Sequence, residues 1–408
     1  MSQDDNIIRH MAKKPRLRVA MVTETFPPEV NGVAMTLGHM VKGLLARGHS
    51  IQVVRPRQGE GDIPCREEHF QETLGPGVPI PRYSGLRFGL PLQTRLCQLW
   101  SRQRPDLVHV ATEGPLGWSA VAAARKLKLP VTSGFHTHFD HYSRHYGFGW
   151  LTQAVAGYLK RFHNRTAATF VPTLEMAQEL GKQGYANLQV LARGVDRKLF
   201  DPARRSEALR REWGLGPDDL AVLVVSRLAP EKNLPLALRA FQAILSVRPD
   251  ARLILVGDGP ARKSLAQGCP RIHFAGMRTG EDLASHYASG DLFLFPSLTE
   301  TFGNVTLEAM SSGLPVVAYR CAAAGEVIED GHSGLLAPPG NEAAFIAAAR
   351  RLAAEPELRR QLGPAARERV APIDWERIHE RLETAFLHVV RRHQRLPGEP
   401  PFLQIVPD

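Results

Sequence analysis

Four short segments of the sequence concentrate side chains that bind anions, accept hydroxyl hydrogens or move protons. In Ser226-Arg227-Leu228-Ala229-Pro230-Glu231-Lys232-Asn233 the two cations stand five residues apart in a stretch that a proline keeps irregular. Both can therefore face one anion, Arg227 as a two-pronged donor and Lys232 as a point charge, and a diphosphate suits the pair. The alternative is local: Glu231 neutralises one of them and leaves an exposed polar loop, where such a pair contributes little.

A second segment, Pro296 to Met310, holds Glu300 and Glu308 with seven residues between them. If the stretch is mostly helical, at ~1.5 Å per residue the carboxylates lie roughly 12 Å apart, too far to flank one glycosidic bond. They must do different work. A nucleotide sugar has hydroxyls at its sugar end and a ribose at its nucleotide end, so it offers a partner to each. Gly303 and Asn304 fall where the helix would start, and free N–H groups there favour a diphosphate. Alternatively Glu308 is a solvated helix residue and Glu300 a first-turn carboxylate.

In Phe135-His136-Thr137-His138-Phe139-Asp140-His141-Tyr142 the histidines and Asp140 suggest a metal, but nothing completes a recognisable ligand spacing, and no metal is expected. His136 either donates to a phosphate or sugar hydroxyl or is a buried, locally satisfied histidine. The fourth segment, Asn31-Gly32-Val33, puts a glycine at a helix start after a strand, where backbone N–H groups can approach a ligand closely or a tight turn simply needs it. No G-x-G-x-x-G follows a strand, which disfavours a dinucleotide dehydrogenase.

Alternating strands and helices must position these segments. Apolar runs predict strands at 17–22, 51–54, 106–110, 130–135 and 169–171, and a helix from Val33 through Leu45 to Gly48. After a break at 193–202 and a charged stretch, 203–212, that suits a hinge, the alternation restarts with strands at 221–225, 253–256, 272–274, 292–295 and 315–318. Trp375, Ile378, Leu382, Phe386 and Val389 then recur at helical spacing, and the proline-rich tail, 397–408, is expected to be loose. The economical fold is α/β: two successive parallel sheets, each covered on both faces.

The chain has 408 residues, enough for two to three domains, and an ordinary globular composition that excludes disordered and fibrous classes. Its net charge of +10 suits a nucleotide, anionic lipid or nucleic acid. No basic stripe interleaved with aromatics matches a nucleic-acid reader, so no nucleic acid is expected as partner. Cys65, Cys97, Cys269 and Cys321 lie far apart without a C-x-x-C pair, which points to a reducing compartment. Residues 1–15 lack a signal-like apolar stretch, and no run reaches the ~18 apolar residues of a membrane span. A cytoplasmic protein is expected, with any membrane contact peripheral on the inner face.

The E-x7-E spacing inside Pro296-Ser-Leu-Thr-Glu-Thr-Phe-Gly-Asn-Val-Thr-Leu-Glu-Ala-Met resembles the signature of retaining GT-B glycosyltransferases of family 4. The likeness extends through Ser226-Arg-Leu-Ala-Pro-Glu-Lys-Asn, Val256-Gly-Asp-Gly, Gly313-Leu-Pro-Val-Val and Pro27-Pro-Glu-Val-Asn-Gly-Val, covering most of residues 17–390. Thr25-Phe-Pro-Pro and His136-Thr-His-Phe-Asp are similar to the branch of GDP-mannose-dependent α-mannosyltransferases and sulfolipid synthases. The resemblance implies two Rossmann-like lobes facing a cleft, with the C-terminal helix packing back on the first lobe. Its expected divisions are an extension, 1–16; an acceptor lobe, 17–195; a nucleotide-sugar lobe, 196–374; the crossing helix, 375–395; and the tail, 396–408.

By position, the resemblance gives the donor diphosphate to Arg227 and Lys232 and the ribose to Glu308. The transferred sugar falls to Glu300 and the backbone of Gly303, Asn304 and Val305. Gly32 would approach the phosphates, His136 would sit near the anomeric centre, and base contacts would fall around Met277. Arg193-Gly-Val-Asp departs from the family's usual asparagine before the glycine, which leaves any side-chain contact there open. The implied activity is hexosyl transfer from a nucleotide sugar, GDP-mannose first and UDP-sugar next, to a lipid or glycan acceptor such as diacylglycerol. No cofactor or metal is implied. A nucleotide-sugar 2-epimerase on the same fold and a non-catalytic sugar-nucleotide-binding protein are the alternatives. Arg144, Lys160, Arg161 and Arg165 with Tyr146, Phe148, Trp150, Tyr158 and Phe162, together with Arg9, Lys13, Lys14, Arg16 and Arg18, suit an anionic membrane surface if the aromatics are exposed.

Overall fold

The computed structural model describes residues 15–29, 31–79, 87–136, 149–266 and 271–394. By internal contacts the chain forms two units, one gathering the described parts of 1–135, 161–170 and 381–408, the other 136–160 and 171–380.

The first sheet is built from β1 (Arg18–Val22), β2 (Ser50–Pro56), β3 (Phe70–Gly75), β6 (Leu107–Val110), β7 (Val131–Gly134), β8 (Ala168–Val171) and β9 (Leu188–Val190), in the order β3-β2-β1-β6-β7-β8-β9. A separate antiparallel pair comprises β4 (Gly77–Pro79) and β5 (Arg87–Gly89). β1 pairs in parallel with both β2 and β6. The continuous apolar run of β1 is what a doubly covered parallel strand requires, and from Val19 to Val22 it is buried throughout. The Gly32–Ala46 helix starts where its pattern predicts, capped by the Asn31 side chain, which accepts from the N–H groups of Val33 and Ala34.

The second sheet comprises β10 (Ala221–Val225), β11 (Arg252–Val256), β12 (Ile272–Gly276), β13 (Leu292–Phe295), β14 (Val316–Tyr319) and β15 (Leu335–Ala337), ordered β12-β11-β10-β13-β14-β15. Alternate residues serve opposite faces. Leu223, Val225, Phe293 and Phe295 join one buried cluster with Tyr287, Leu307 and Met310. Val222, Val224, Leu292 and Leu294 join another with Phe241, Ile244 and Phe345. β3, β9 and β15 escape the sequence reading because they are edge or short strands with no long apolar run.

Within the stretch 203–212, whose charge suits a hinge, most residues are exposed and Arg210 is the buried anchor. Arg210 is 1% exposed, donates to the carbonyls of Ser289 (2.9 Å) and Asp219 (2.7 Å), and pairs with Asp291 at 2.9 Å. The Trp375–Gln394 helix returns its C-terminal part to the first unit, as the resemblance implies. There Glu383 pairs with Arg47 (3.0 Å) and His49 (3.2 Å), and Phe386 packs on His109 and Phe170.

Candidate functional site

In the second sheet the connection from β10 runs toward β11 and β12, while that from β13 runs toward β14 and β15. The neighbours β10 and β13 thus flank a topological switch point, where the loops leaving them part and open sheets receive ligands. Those loops are 226–233 and 296–303, two of the segments singled out by their chemistry.

Three bonds tie the loops together. Asn233 Nδ2 donates to the Pro296 carbonyl at 3.3 Å, Thr299 Oγ1 to the Glu231 carbonyl at 3.0 Å, and Lys232 Nζ to Glu300 Oε1 at 2.6 Å. Pro230–Lys232 forms a short turn, and Asn233, left-handed at φ +52°, redirects the chain into the Leu234–Leu245 helix. Beneath them, Gly257 follows β11 at φ +126°, and a Cβ there would lie 1.9 Å from the Ser226 carbonyl oxygen. Only glycine allows that approach.

Each cation of the 226–233 loop faces a carboxylate. Arg227 lies 3.8 Å from Glu231, the local pairing weighed above, whereas Lys232 pairs with Glu300 of the other loop. Their shared loop brings both to the switch point, Arg227 beside Glu231 and Lys232 beside Glu300. An incoming diphosphate would have to compete with Glu300 for Lys232.

Glu300 lies in the loop before the helix, which begins at Asn304 after Gly303 at φ +91°. This corrects the mostly helical spacing and the first-turn reading of Glu300, because the positive-φ glycine ends the loop only three residues after it. The division between the two glutamates survives. Glu308 sits on the Asn304–Ser311 helix and accepts from the Tyr287 hydroxyl at 2.9 Å. Burial pushes its carboxyl up to about 7, opposed in part by that bond, so it is no solvated helix residue. Val305 lies in the first turn of this helix, half-buried against the core.

His136, just after β7, is half-buried; its carbonyl accepts from Thr301 Oγ1 at 3.0 Å and its Nδ1 lies 3.5 Å from Arg193 Nη2. Arg193 is the residue that sequence reasoning left open. Its Nη1 lies 3.4 Å from Asn304 Oδ1 and its guanidinium 5.7 Å from the Phe302 ring centroid. Tyr287, the partner of Glu308, was also unforeseen, since nothing in its helix pattern marks it apart from a core aromatic. The nearby Cys321 thiol is pushed up to about 11 by burial and stays protonated.

The structure thus groups His136, Arg227, Lys232, Glu300, Gly303, Asn304 and Val305 in one unit, with Glu308 one turn along the same helix. Met277 is 54% exposed just past the end of β12. Gly32 belongs to the first unit, at the start of its Gly32–Ala46 helix. His138, Asp140 and His141 lie outside the described residues, as do Arg9, Lys13, Lys14, Arg144, Tyr146 and Phe148 of the basic and aromatic set. Of the rest, Tyr158 is exposed, but Phe162 is wholly buried beside Trp118, because its face of the Gly149–His163 helix turns to the core. Among the described residues no three His, Cys, Asp or Glu side chains are grouped to hold a metal, and no helix is long and apolar enough to cross a membrane.

Two family models match: Glycosyltransferase Family 4 over residues 30–199 and Glycosyl transferases group 1 over 219–355. The chain is 34% identical to a GDP-mannose-dependent alpha-mannosyltransferase of Corynebacterium glutamicum, covering 93% of this chain and 91% of the relative. It is 32% identical to the sulfoquinovosyl transferase SQD2 of Arabidopsis thaliana, over 89% of this chain and 71% of that one. An alpha-monoglucosyldiacylglycerol synthase of Streptococcus pneumoniae is 26% identical, over 78% and 75%. Among solved structures, sucrose-phosphate synthase from Thermosynechococcus elongatus shares the fold, with TM-score 0.75 at 20% identity over 92% of this chain and 100% of that one.

Proposed function

The chain belongs to glycosyltransferase family 4, and on that premise we propose that it moves a hexose from a nucleoside-diphosphate sugar to a lipid such as diacylglycerol, with retention of anomeric configuration. GDP-mannose is the favoured donor and a UDP-sugar the next. The names of its relatives support GDP-mannose as donor and a lipid acceptor. The observation that carries the reading is the Lys232–Glu300 pair at 2.6 Å, set at the switch point beside a helix that begins at Asn304 without a side-chain cap. A diphosphate arriving there exchanges one anionic partner of Lys232 for another and releases Glu300 to accept from the sugar hydroxyls.

Arg227, Lys232 and the backbone of Gly303, Asn304 and Val305 then meet the negative charge that grows on the leaving phosphate. These fixed cations and N–H groups do the work without a metal ion. His136 lies beside the sugar, Glu308 accepts from the ribose, and the exposed Met277 takes the base. A 2-epimerase on this fold is not favoured, since the relatives are named transferases. Thermal-shift titration with GDP-, UDP- and ADP-sugars, with and without a chelator, tests the reading. A cognate donor at 100 times its Kd should stabilise by ~2.7 kcal/mol in both buffers. No shift with any sugar nucleotide would overturn the donor site, and a shift abolished by chelation would overturn the metal-free one.

A further inference from the structure

We infer that Arg193 is a third cation of the anion site, holding the phosphate that is bonded to the sugar; the inference rests on the donor reading above. Three arginines of the described chain are buried: Arg55 at 4%, Arg193 at 6% and Arg210 at 1% exposure. A buried cation without a partner is costly. Arg55 meets this with Asp62 (2.6 Å) and Glu72 (2.8 Å), and Arg210 with Asp291 (2.9 Å). Arg193 is the exception.

Its neighbours are Asn304 Oδ1 at 3.4 Å, His136 Nδ1 at 3.5 Å and the face of Phe302, and none of these is an anion. Among the described residues it makes no ion pair, and Glu300, the carboxylate whose charge reaches it, is held by Lys232 at 2.6 Å. Burial draws the guanidinium down to about 10, which leaves it cationic at neutral pH.

The place of the guanidinium selects the part of the ligand. Asn304 opens the Asn304–Ser311 helix, which no side chain caps, although the Thr306 N–H is already bonded to the Gly303 carbonyl, so the Arg193 charge, 3.4 Å from Asn304 Oδ1, stands beside a helix N-terminus. That point lies toward His136, the sugar end, and a turn or more from Glu308, the ribose end. An oxyanion fitting there is the terminal phosphate of the nucleoside diphosphate, and a nucleoside monophosphate lacks it.

Calorimetric titration of the whole protein with GDP, GMP, UDP and UMP decides the matter. Wild type should bind the diphosphate more tightly than the monophosphate of the same base. In Arg193→Gln that preference should shrink by about 10-fold or more while the monophosphate Kd stays put. Arg193→Lys, which keeps the charge but loses the fork, should lose several-fold less, and it carries the test alone if melting curves show Arg193→Gln unfolded. An unchanged preference in a folded variant would overturn the inference. So would equal loss for mono- and diphosphate. Wild type that binds no diphosphate removes the donor reading and this inference with it, whereas wild-type discrimination that survives in the variants removes the inference alone.

Discussion

The side chains at the switch point are coupled, and their variants should show it. Arg227→Ala and Lys232→Ala should each weaken the donor by about 10- to 100-fold, the effect of removing a charged partner from a bound anion. Because Lys232 holds Glu300, removing both should cost less than the two single changes together, and strict additivity in kcat/KM would deny the coupling. Glu300→Gln should lower kcat more than it raises donor KM, and Glu308→Gln the reverse. The pH dependence separates them further. With its carboxyl raised to about 7, Glu308 gains its charge between roughly pH 6 and 8, so donor KM should fall as pH rises through that window and should be flat in Glu308→Gln. Stability runs the other way. A pKa raised in the folded state favours the protonated carboxyl, so the protein should lose stability as pH rises from about 4.5 to about 7, and Glu24, raised to about 7 mainly by burial, adds to that slope.

At the scale of elements, the cation loop stands where it does because β11 ends in a residue without a Cβ. Gly257→Ala would drive a methyl to 1.9 Å from the Ser226 carbonyl at φ +126°, so the 226–233 loop must move or the strand end must open. Gly340, at φ +78° with nothing within 4 Å, controls for backbone strain alone, which costs roughly 1–2 kcal/mol. Gly257→Ala should melt well below Gly340→Ala and should also lose donor affinity. Equal melting temperatures with intact donor binding would show that the loop does not depend on that close approach.

For the molecule as a whole, the net charge of +10 matters if the acceptor is drawn from a membrane. With Phe162 in the core, the aromatic part of the basic and aromatic set is smaller than its sequence suggests. Among the described residues of the set, Arg16, Arg18 and Arg161 of the first unit and Tyr158 and Lys160 of the second are exposed. Each cation near anionic headgroups contributes ~1 kcal/mol, screened by salt. Sedimentation with liposomes should therefore show binding to anionic vesicles that weakens as salt rises. Equal recovery in the supernatant with anionic and neutral vesicles would rule docking out.

What the sequence determined by itself was whatever depends on local pattern: the apolar runs of β1, β10 and β13, the 3.6-residue periodicity of the Gly32–Ala46 and Trp375–Gln394 helices, and the residue types of the loops after β10 and β13. These follow from neighbours along the chain. Partners across the fold do not. The 2.6 Å pairing of Lys232 with Glu300 joins residues 68 apart, and the approach of Arg193 to Asn304 joins residues 111 apart. Neither spacing carries a period, so nothing along the chain marked Arg193 or Arg210 as buried. Only the tertiary structure decided that both are buried, one neutralised by Asp291 and the other left facing the helix that begins at Asn304, because burial and charge pairing are set by which segments the sheets bring together.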